Sequence, residues 1–262
     1  MRLMSIRRFS RLAAILVAVA GCALFSEQTD DPEQSSAQEL YKEAKGALDS
    51  GYYSKAIENY EKLQARYPFG EFAQQAQLDL AYAYYMSDEP VSAIAACDRF
   101  IKLYPTHSHV DYAHYLKGLA NFNRGKGLTQ RFLPNDPSQR DPGAALQSFR
   151  DFTELVKRFP RSKYVLDSQK RMIYLRNILA QHEVNVAHYY MHRGAYVAAA
   201  NRGRYVVENY QGAPVMPEAL TVMAKAYRVL ELDDLSNDAL RVLELNYPSH
   251  PGIQEIKEIV LR

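Results

Sequence analysis

A pattern of small and aromatic residues recurs along the chain at intervals of 37 residues. Its first copy carries Gly51, Ala56 and Tyr60 and ends at Tyr67-Pro68. Glycine turns the chain between two helices, alanine permits close helix approach, the aromatic ring fills the remaining gap, and proline ends the second helix. This is the tetratricopeptide pattern, which predicts a helix pair for each copy.

Five copies can be followed by the small residue of their first helix, and they are Ala44, Ala81, Gly118, Ala187 and Ala224. Three copies depart from the pattern: Ser148 replaces the second-helix alanine of the third, Gln211 stands at the proline position of the fourth, and the turn of the fifth lacks glycine. A single helix pair cannot bury its apolar face, so the pairs must stack. The sequence therefore predicts an all-α tetratricopeptide-repeat solenoid of about five helix pairs, stacked into a curved superhelix.

The chain divides into segments of different character. We expect repeats one to three over residues 38–160 and repeats four and five over residues 161–262. The third pair is predicted at 111–122 and 144–159, so that an insertion at 123–143, rich in Gly, Pro and Asp, separates its two helices. Two helices outside the pairs are also predicted, an extra one at 163–179 and a C-terminal capping helix at 253–261.

The first 21 residues lie outside the repeats. Four arginines, and no acidic residue, flank an apolar run at 12–20. A membrane-spanning helix needs roughly 20 apolar residues, so this shorter run indicates a secretory signal peptide. The run ends in Val19-Ala20-Gly21-Cys22, which resembles the bacterial lipobox, in which the cysteine is diacylated and becomes the first mature residue.

We therefore expect lipidation at Cys22, followed by a polar, flexible tether that extends to residue 37. The alternative is a plain signal peptide in which the cysteine is incidental. Ala23 stands where an aspartate would resemble the inner-membrane retention signal of enterobacteria, which favours the outer membrane. Several acyl chains would give stable anchoring, whereas one alone is marginal.

Charge and cysteine content argue against a nucleic-acid-binding protein and against a fold stabilised by disulfides. Without the four arginines of residues 1–21, the 32 basic side chains become 28 against 30 acidic ones. Such a near-neutral protein lacks the charge balance for binding polyanions, so nucleic acid is not an expected partner. The only other thiol, Cys97, lies in an alanine-rich stretch and is interpreted as buried. Because one thiol cannot form an internal disulfide, a packed core must supply the stability.

The chain has 20 tyrosines and no tryptophan, and several tyrosines share one helix face. The concave side should carry the residues that lie three positions before, one position after and four positions after the small residue of each first helix. Tyr112, about one turn before Tyr115, should face the same side. In the first three units these positions also include Lys45, Leu48, Leu78 and Leu119. The aromatic members form the candidate substrate groove, and they are Tyr41, Tyr82, Tyr85, Tyr112, Tyr115 and Phe122. Aromatic rings give large contact area at low entropic cost, which suits an extended peptide that ends in an aromatic residue. The alternative is that these rings only pack between repeats.

No pattern of catalytic residues is found in the sequence. His188 and His192 are four residues apart on one helix, but two imidazoles without a third ligand bind a metal weakly. His182-Glu183 fails the zinc-protease motif because Val186 stands at the second histidine position. We therefore expect a protein that is not an enzyme and that has no cofactor and no metal.

Several motifs resemble the BamD family, tetratricopeptide lipoproteins of the outer-membrane β-barrel assembly machinery. The segments that carry the resemblance cover residues 66–70, 77–85, 98–101, 105–107, 140–142, 189–190, 193–195 and 201–202. Two features depart from the family, Tyr196 where tryptophan is expected and a lengthened insertion around 125–136. A pilotin-type lipoprotein for secretin or type IV pilus assembly is the alternative, and a lipid-tethered cell-wall enzyme is a third.

The resemblance implies a set of partners. The C-terminal repeats would bind the BamA-like barrel subunit, and BamC- and BamE-like lipoproteins would also dock. The N-terminal repeats would receive unfolded outer-membrane proteins through their C-terminal aromatic signal. Asn201 and Arg202 match the family position that contacts an acidic residue of the barrel subunit, and a bidentate arginine–carboxylate pair there could not be replaced well by lysine.

Overall fold

The computed structural model describes residues 36–124, 136–139 and 141–259. The predicted signal peptide at 1–21, Cys22 and the predicted tether up to residue 35 lie outside these ranges. The described chain contains eleven α-helices and no β-strand, which confirms the predicted all-α fold. In chain order, α1 to α11 span Ala37–Asp49, Tyr53–Arg66, Glu71–Met86, Pro90–Leu103, Val110–Arg124, Gly143–Arg158, Val165–His192, Tyr196–Asn209, Met216–Val229, Asp233–Asn246 and Gly252–Lys257.

The helices stack in the order of the chain, each against the next. The five pairs are α1 with α2, α3 with α4, α5 with α6, α7 with α8, and α9 with α10. All five small first-helix residues are buried at the contacts between helices. At Gly118 a Cβ atom would lie 2.6 Å from a ring carbon of the fully buried Phe152, so only glycine fits beside this ring. Among the described residues, no helix is both long and apolar enough to cross a membrane.

Four repeats turn between their two helices in the same way. Gly51, Asp88, Gly194 and Glu231 all have a positive φ, between 59° and 78°. In each case the residue after it donates its backbone N–H to the carbonyl oxygen four residues before the positive-φ position, as Tyr52 does to Ala47. This is the Schellman motif that ends a helix in a left-handed residue. The turn that lacks glycine in the fifth repeat therefore keeps the same geometry with Glu231.

Serine replaces alanine in the second helix of two repeats, and both serines make the same contact. Ser148 Oγ donates to the carbonyl oxygen of Gly118 at 2.9 Å, and Ser236 Oγ donates to that of Ala224 at 3.0 Å. Both acceptors are the small residue of the first helix in the same pair. A buried hydroxyl needs a partner, and this bond lets serine occupy the alanine position.

The predicted extra helix is present and is continuous with the first helix of the fourth repeat. Together they form α7, which has 28 residues. Its N-terminal half lies beside α5 and α6, and its C-terminal half pairs with α8. The other predicted bounds in this region agree to within two residues, since α5 covers Val110–Arg124 and α6 covers Gly143–Arg158.

Part of the insertion between α5 and α6 is held against α7. Residues 125–135 and 140 lie outside the described residues, but a 3-10 turn forms at Pro137–Gln139. Ser138 in this turn is 2% exposed. Its carbonyl oxygen lies 2.8 Å from His182 Nδ1, and its Oγ accepts from Asn185 Nδ2 at 2.9 Å. The end of the insertion is therefore fixed to the long helix.

The C-terminal cap, α11, is shorter than predicted. It covers Gly252–Lys257, and residues 260–261 of the predicted helix lie outside the described part of the chain. Ile256 is fully buried in the core cluster formed with α9 and α10. A Cβ atom on Gly252 would clash with the side chain of Thr221, so α11 packs on α9 through a residue without a side chain.

Candidate protein-binding sites

The six aromatic residues predicted to form the substrate groove lie on α1, α3 and α5, and each is partly exposed. Two aliphatic residues predicted for the same face are instead part of the core. Leu48 and Leu78 are 6% and 3% exposed, since Leu48 packs between the first two repeats and Leu78 packs against Phe100. The groove is therefore more aromatic than the sequence predicts.

At the N-terminal end of the groove, three side chains donate to the carboxylate of Asp79. Tyr41 and Tyr60 donate their hydroxyls to Oδ2 at 2.8 and 3.2 Å, and Gln75 donates to Oδ1 at 2.8 Å. Burial and the adjacent carboxylate raise the pKa of both tyrosines, so both stay neutral donors. Asp79 thus fixes the orientation of Tyr41 at the edge of the groove. The sequence signal that could have identified Asp79 is its position between two leucines, Leu78 and Leu80, of one helix.

The middle of the groove consists of Tyr82, Tyr85 and Tyr112. These rings surround a small core cluster that contains Cys97, which is fully buried, as predicted. Asn123 donates to the Tyr85 hydroxyl at 2.8 Å. Within the described residues, the Tyr82 hydroxyl has no hydrogen-bond partner. Tyr82 therefore has a partly exposed ring and a hydroxyl that no described side chain engages.

The C-terminal end of the predicted groove is covered by the long helix. The ring of Tyr115 stacks on Tyr164 at 4.6 Å, and its hydroxyl donates to Asp167 at 2.7 Å. Arg171 also donates to Asp167, at 2.6 Å, and its guanidinium lies 4.9 Å from the ring of Phe122. Burial and Asp167 raise the pKa of Tyr115 to about 12. Tyr115 and Phe122 thus pack against α7, and the ring of Tyr112 lies 5.5 Å from that of Tyr164. Tyr41, Tyr82 and Tyr85 remain as the open groove.

Asn201 and Arg202 are both exposed on α8. Arg202 Nη1 donates to Glu183 Oε2 on α7 at 2.8 Å, and this bond raises the pKa of the guanidinium. The Arg202 side chain remains 44% exposed, whereas that of Glu183 is 13% exposed. Arg204 instead donates to Asn201 Oδ1 at 2.9 Å. Only one nitrogen of Arg202 is therefore committed to Glu183, and its charge is held in place at the surface.

Exposed apolar side chains lie on the same helix as this arginine and near the end of α7. Val197, Asn201 and Tyr205 follow one another at intervals of four on the exposed face of α8, with Val197 61% and Tyr205 42% exposed. Tyr189, near the end of α7, is 59% exposed. An exposed apolar patch beside an oriented arginine is typical of a protein interface.

The histidines considered as metal ligands have other contacts. His188 Nε2 lies 2.9 Å from Glu218, and His250 Nε2 lies 3.8 Å from the same carboxylate. His192 is exposed at the end of α7. The described part of the chain has no group of three side chains placed to hold a metal ion.

The sequence of this chain is similar to a family of outer membrane lipoproteins. Residues 33–243 match the profile of a family described as YfiO: Outer membrane lipoprotein. A protein of Neisseria meningitidis serogroup B, named outer membrane protein assembly factor BamD, is 42% identical over 91% of each chain. Proteins of the same name from Xylella fastidiosa strain Temecula1 and from Vibrio cholerae are each 35% identical. They cover 93% and 86% of this chain, and 83% and 92% of the relatives.

Among solved structures, the TPR domain of P58(IPK) aligns with 85% of this chain and 64% of its own, at 15% identity and a TM-score of 0.42. That score is too low to support a conclusion. The sequence matches, in contrast, extend over nearly the whole chain and confirm the resemblance drawn from the motifs. The chain belongs to the YfiO family of outer membrane lipoproteins.

Proposed function

We propose that this protein is a lipid-anchored scaffold for the assembly of outer-membrane β-barrel proteins, acting by binding and not by catalysis. The observation that carries the proposal is the 42% identity to an outer membrane protein assembly factor over 91% of both chains. A tetratricopeptide solenoid alone would not support it, because one fold serves many partners. The two candidate surfaces supply the finer parts of the proposal.

The open groove of Tyr41, Tyr82 and Tyr85, with Tyr112 at its covered end, would hold an incoming, unfolded outer-membrane protein. A strand of such a protein carries alternating apolar side chains, and its aromatic end can stack on tyrosine rings. Phenol groups also keep the groove compatible with water while it is empty. Because Asp79 and Asn123 orient the phenols of Tyr41 and Tyr85, part of the ordering cost is already met before the ligand arrives.

The surface around Arg202 would bind the BamA-like barrel subunit. Glu183 holds the guanidinium in one orientation, and the N–H groups not bound to Glu183 can donate to a second carboxylate from a partner. Val197 and Tyr205 would supply the apolar contact area around this ion pair. BamC- and BamE-like lipoproteins would dock elsewhere on the same scaffold, and acylation of Cys22 would hold the assembly at the periplasmic face of the outer membrane.

A membrane pull-down tests the partner assignment. The mature, lipid-anchored protein should recover a large β-barrel protein that bears periplasmic repeats. Arg202→Glu should weaken this recovery about tenfold or more, because it places a second carboxylate beside Glu183 and repels the partner's acid. The matched control is Arg204→Glu, two residues away on α8, which should have little effect. Equal, small losses for both variants would contradict the assignment, and recovery of a secretin would replace the proposal with the pilotin alternative.

The groove is tested with a peptide that ends in the aromatic C-terminal sequence of an outer-membrane protein. Tyr82→Ala should weaken its binding about tenfold, since a central aromatic contact is lost. Tyr52→Ala removes a tyrosine that is 70% exposed outside the groove and should leave the affinity nearly unchanged. The groove assignment fails if the two variants bind the peptide equally well while both remain folded.

A further inference from the structure

The first three loops that join successive repeats lie together at one edge of the stack. They are residues 67–70, 104–109 and 159–164. Pro68 of the first loop and Tyr104 of the second line one cavity of about 600 Å³. Residues 105–108 of the second loop and residues 158–162 around the third line another, of about 490 Å³. The three loops therefore form one continuous surface, opposite the turns within the repeats.

The predicted lipid tether joins the fold at this edge. The N-cap of α1 is Ser36, and the ring of Tyr41 on α1 lies 5.6 Å from that of Phe72, directly after the first loop. Cys22 precedes Ser36 by 14 residues, and a chain of that length reaches at most ~50 Å. The first helices of successive repeats stack about 10 Å apart, which places the third loop roughly 30 Å from the start of α1. The lipid anchor and all three loops can therefore meet one membrane surface.

The third loop and the end of α6 form a basic segment, residues 157–163. Its four cations are all exposed, and they are Lys157, Arg158, Arg161 and Lys163. Arg158 pairs with Glu154 at 3.0 Å, whereas the other three make no ion pair within the described part of the chain. Asp111 lines the adjoining cavity, and Asp167 in the first turn of α7 is balanced by Arg171 at 2.6 Å. With Glu154 and Asp111 counted against the four cations, this surface keeps a net charge of +2, although the mature chain is slightly acidic.

Exposed apolar side chains accompany the cations on this edge. Phe69 in the first loop is 87% exposed, and Leu166 at the start of α7 is 73% exposed. Side chains on a helix lean towards its N-terminus, so Leu166 points to the loop edge. The helix ends beside the first two loops carry two exposed cations and two exposed acids, which are Arg66, Lys102, Glu39 and Glu71. The positive charge of this edge is therefore concentrated in the basic segment.

Cations beside exposed aromatic and aliphatic side chains are typical of protein surfaces that bind at a membrane interface. We propose that this edge is a second membrane contact, in which the basic segment binds the phosphate groups of anionic phospholipids while Phe69 and Leu166 enter the interface. The proposal rests on the lipid anchor proposed at Cys22, which brings this edge to the membrane. Acyl chains alone leave the fold free to turn on a flexible tether, whereas this contact fixes which edge of the solenoid meets the membrane.

Vesicle binding without the anchor tests the electrostatic part. The full mature chain carrying Cys22→Ser, which cannot be acylated, is sedimented with vesicles of phosphatidylcholine alone or in an equal mixture with phosphatidylglycerol. Binding should require phosphatidylglycerol and should fall about tenfold as NaCl is raised from about 0.05 M to about 0.5 M. Arg161→Glu should weaken binding about tenfold, because it reverses one charge at the lipid surface. The matched control is Arg193→Glu, an exposed arginine at the opposite edge, which should leave the affinity within about twofold.

The apolar part is tested with the lipidated chain, whose sequence has no tryptophan. Phe69→Trp places a single fluorophore on the proposed contact, and its emission should shift to the blue on vesicles that contain phosphatidylglycerol. Tyr52→Trp places the fluorophore in the turn within the first repeat, at the opposite edge, where the native residue is 70% exposed. Its emission should stay unchanged on the same vesicles.

Equal losses for Arg161→Glu and Arg193→Glu, or a blue shift at position 52 in place of position 69, would overturn the proposal. Binding that appears only after deletion of residues 23–35 would assign the basic segment to the chain's own acidic tether. Loss of a partner protein from the pull-down of Arg161→Glu, with vesicle binding unchanged, would assign the segment to that protein. Both of these outcomes also overturn the membrane contact. A chain that is not acylated at Cys22 but still binds phosphatidylglycerol through Arg161 would refute the anchor and support the contact.

Discussion

At the scale of single residues, the turns within the repeats show how one backbone geometry tolerates different side chains. Gly51 and Gly194 adopt a left-handed conformation without steric cost, whereas Asp88 and Glu231 adopt the same conformation with a Cβ atom. Aspartate is enriched in this region of φ and ψ because its short side chain can bond locally. Glutamate has no such advantage, so the fifth repeat carries the larger strain.

This strain predicts that Glu231→Gly stabilises the protein. Glu231 is exposed at φ 59°, and its side chain makes no hydrogen bond or ion pair within the described part of the chain, so its removal relieves strain without loss of packing. We expect a gain of about 1 kcal/mol in the free energy of unfolding, measured in urea. The reciprocal control, Gly194→Ala, meets no atom within 4 Å and should lose a similar amount through its backbone alone. A lower midpoint for Glu231→Gly would contradict this account.

Acid sensitivity is predicted at His114. Its side chain is 3% exposed, its Nε2 has no partner among the described residues, and burial lowers the pKa of the imidazole below 6.5. In the unfolded chain the imidazole takes up a proton near its ordinary pKa of about 6.5, whereas the folded chain keeps it neutral. Stability is therefore complete above this pH and falls as the pH is lowered towards the folded pKa.

We expect His114→Leu to flatten this part of the profile of unfolding free energy against pH. The substitution removes the titrating group and also an unpaired buried nitrogen, so the neutral-pH stability should not fall greatly. Urea unfolding between about pH 7 and pH 5 measures the effect. An unchanged slope over this interval would show that His114 is not the group responsible.

At the scale of helices, α7 shows what the sequence could and could not predict. No Gly or Pro occurs between residues 161 and 193. Because these residues end helices, their absence could have predicted that the extra helix continues into the fourth repeat. The contact of Asp167 with Tyr115 could not be predicted from the sequence. The two residues are 52 positions apart, and their contact depends on the angle at which α7 crosses α5. Local spacing predicts helix faces, whereas such an angle depends on the packing of several helices together.

The same limit applies to the groove. Spacing alone placed six aromatic residues on one face, and all six are partly exposed there. It could not show that Tyr115 and Phe122 would be covered, since their cover comes from a helix outside the repeat pattern.

The contact between α7 and α5 gives a prediction at this scale. Asp167→Ala removes the acceptor of both Tyr115 and Arg171, which should lower the free energy of unfolding by about 1–2 kcal/mol. Lys170→Ala, an exposed change three residues later on α7, should stay within about 0.5 kcal/mol. Thermal melts of the two variants make the comparison. A loss no larger than that of the control would mean that α7 is held on α5 by apolar packing alone.

At the scale of the whole molecule, α7 joins the repeats that carry the groove to those that carry Arg202. It contacts α6 on one side and both α8 and α9 on the other. In a solenoid, cooperativity passes through neighbouring elements. A helix shared by two groups of repeats therefore makes their unfolding one event.

Gln181→Pro tests this role, because it breaks α7 near its middle. The variant should lose about 3 kcal/mol or more, and its urea unfolding should separate into two transitions. Gln181→Ala keeps the helix intact and should retain a single transition at nearly the same midpoint. A proline variant that still unfolds in one step would show that contacts other than α7 couple the two groups.

The way α11 closes the stack bears on how such an array could grow. Two contacts hold α11 on the last repeat. Gly252 packs closely against Thr221 of α9 because it has no side chain, and Ile256 packs into the apolar cluster of α9 and α10. The positions equivalent to Thr221 in the third and fourth repeats are Tyr115 and Val184, where the same cap would meet a different surface. Duplication of an internal unit keeps this closing contact, whereas a unit added after the fifth repeat destroys it. Any change in repeat number during the history of such a chain is therefore favoured in its interior and opposed at its C-terminal end.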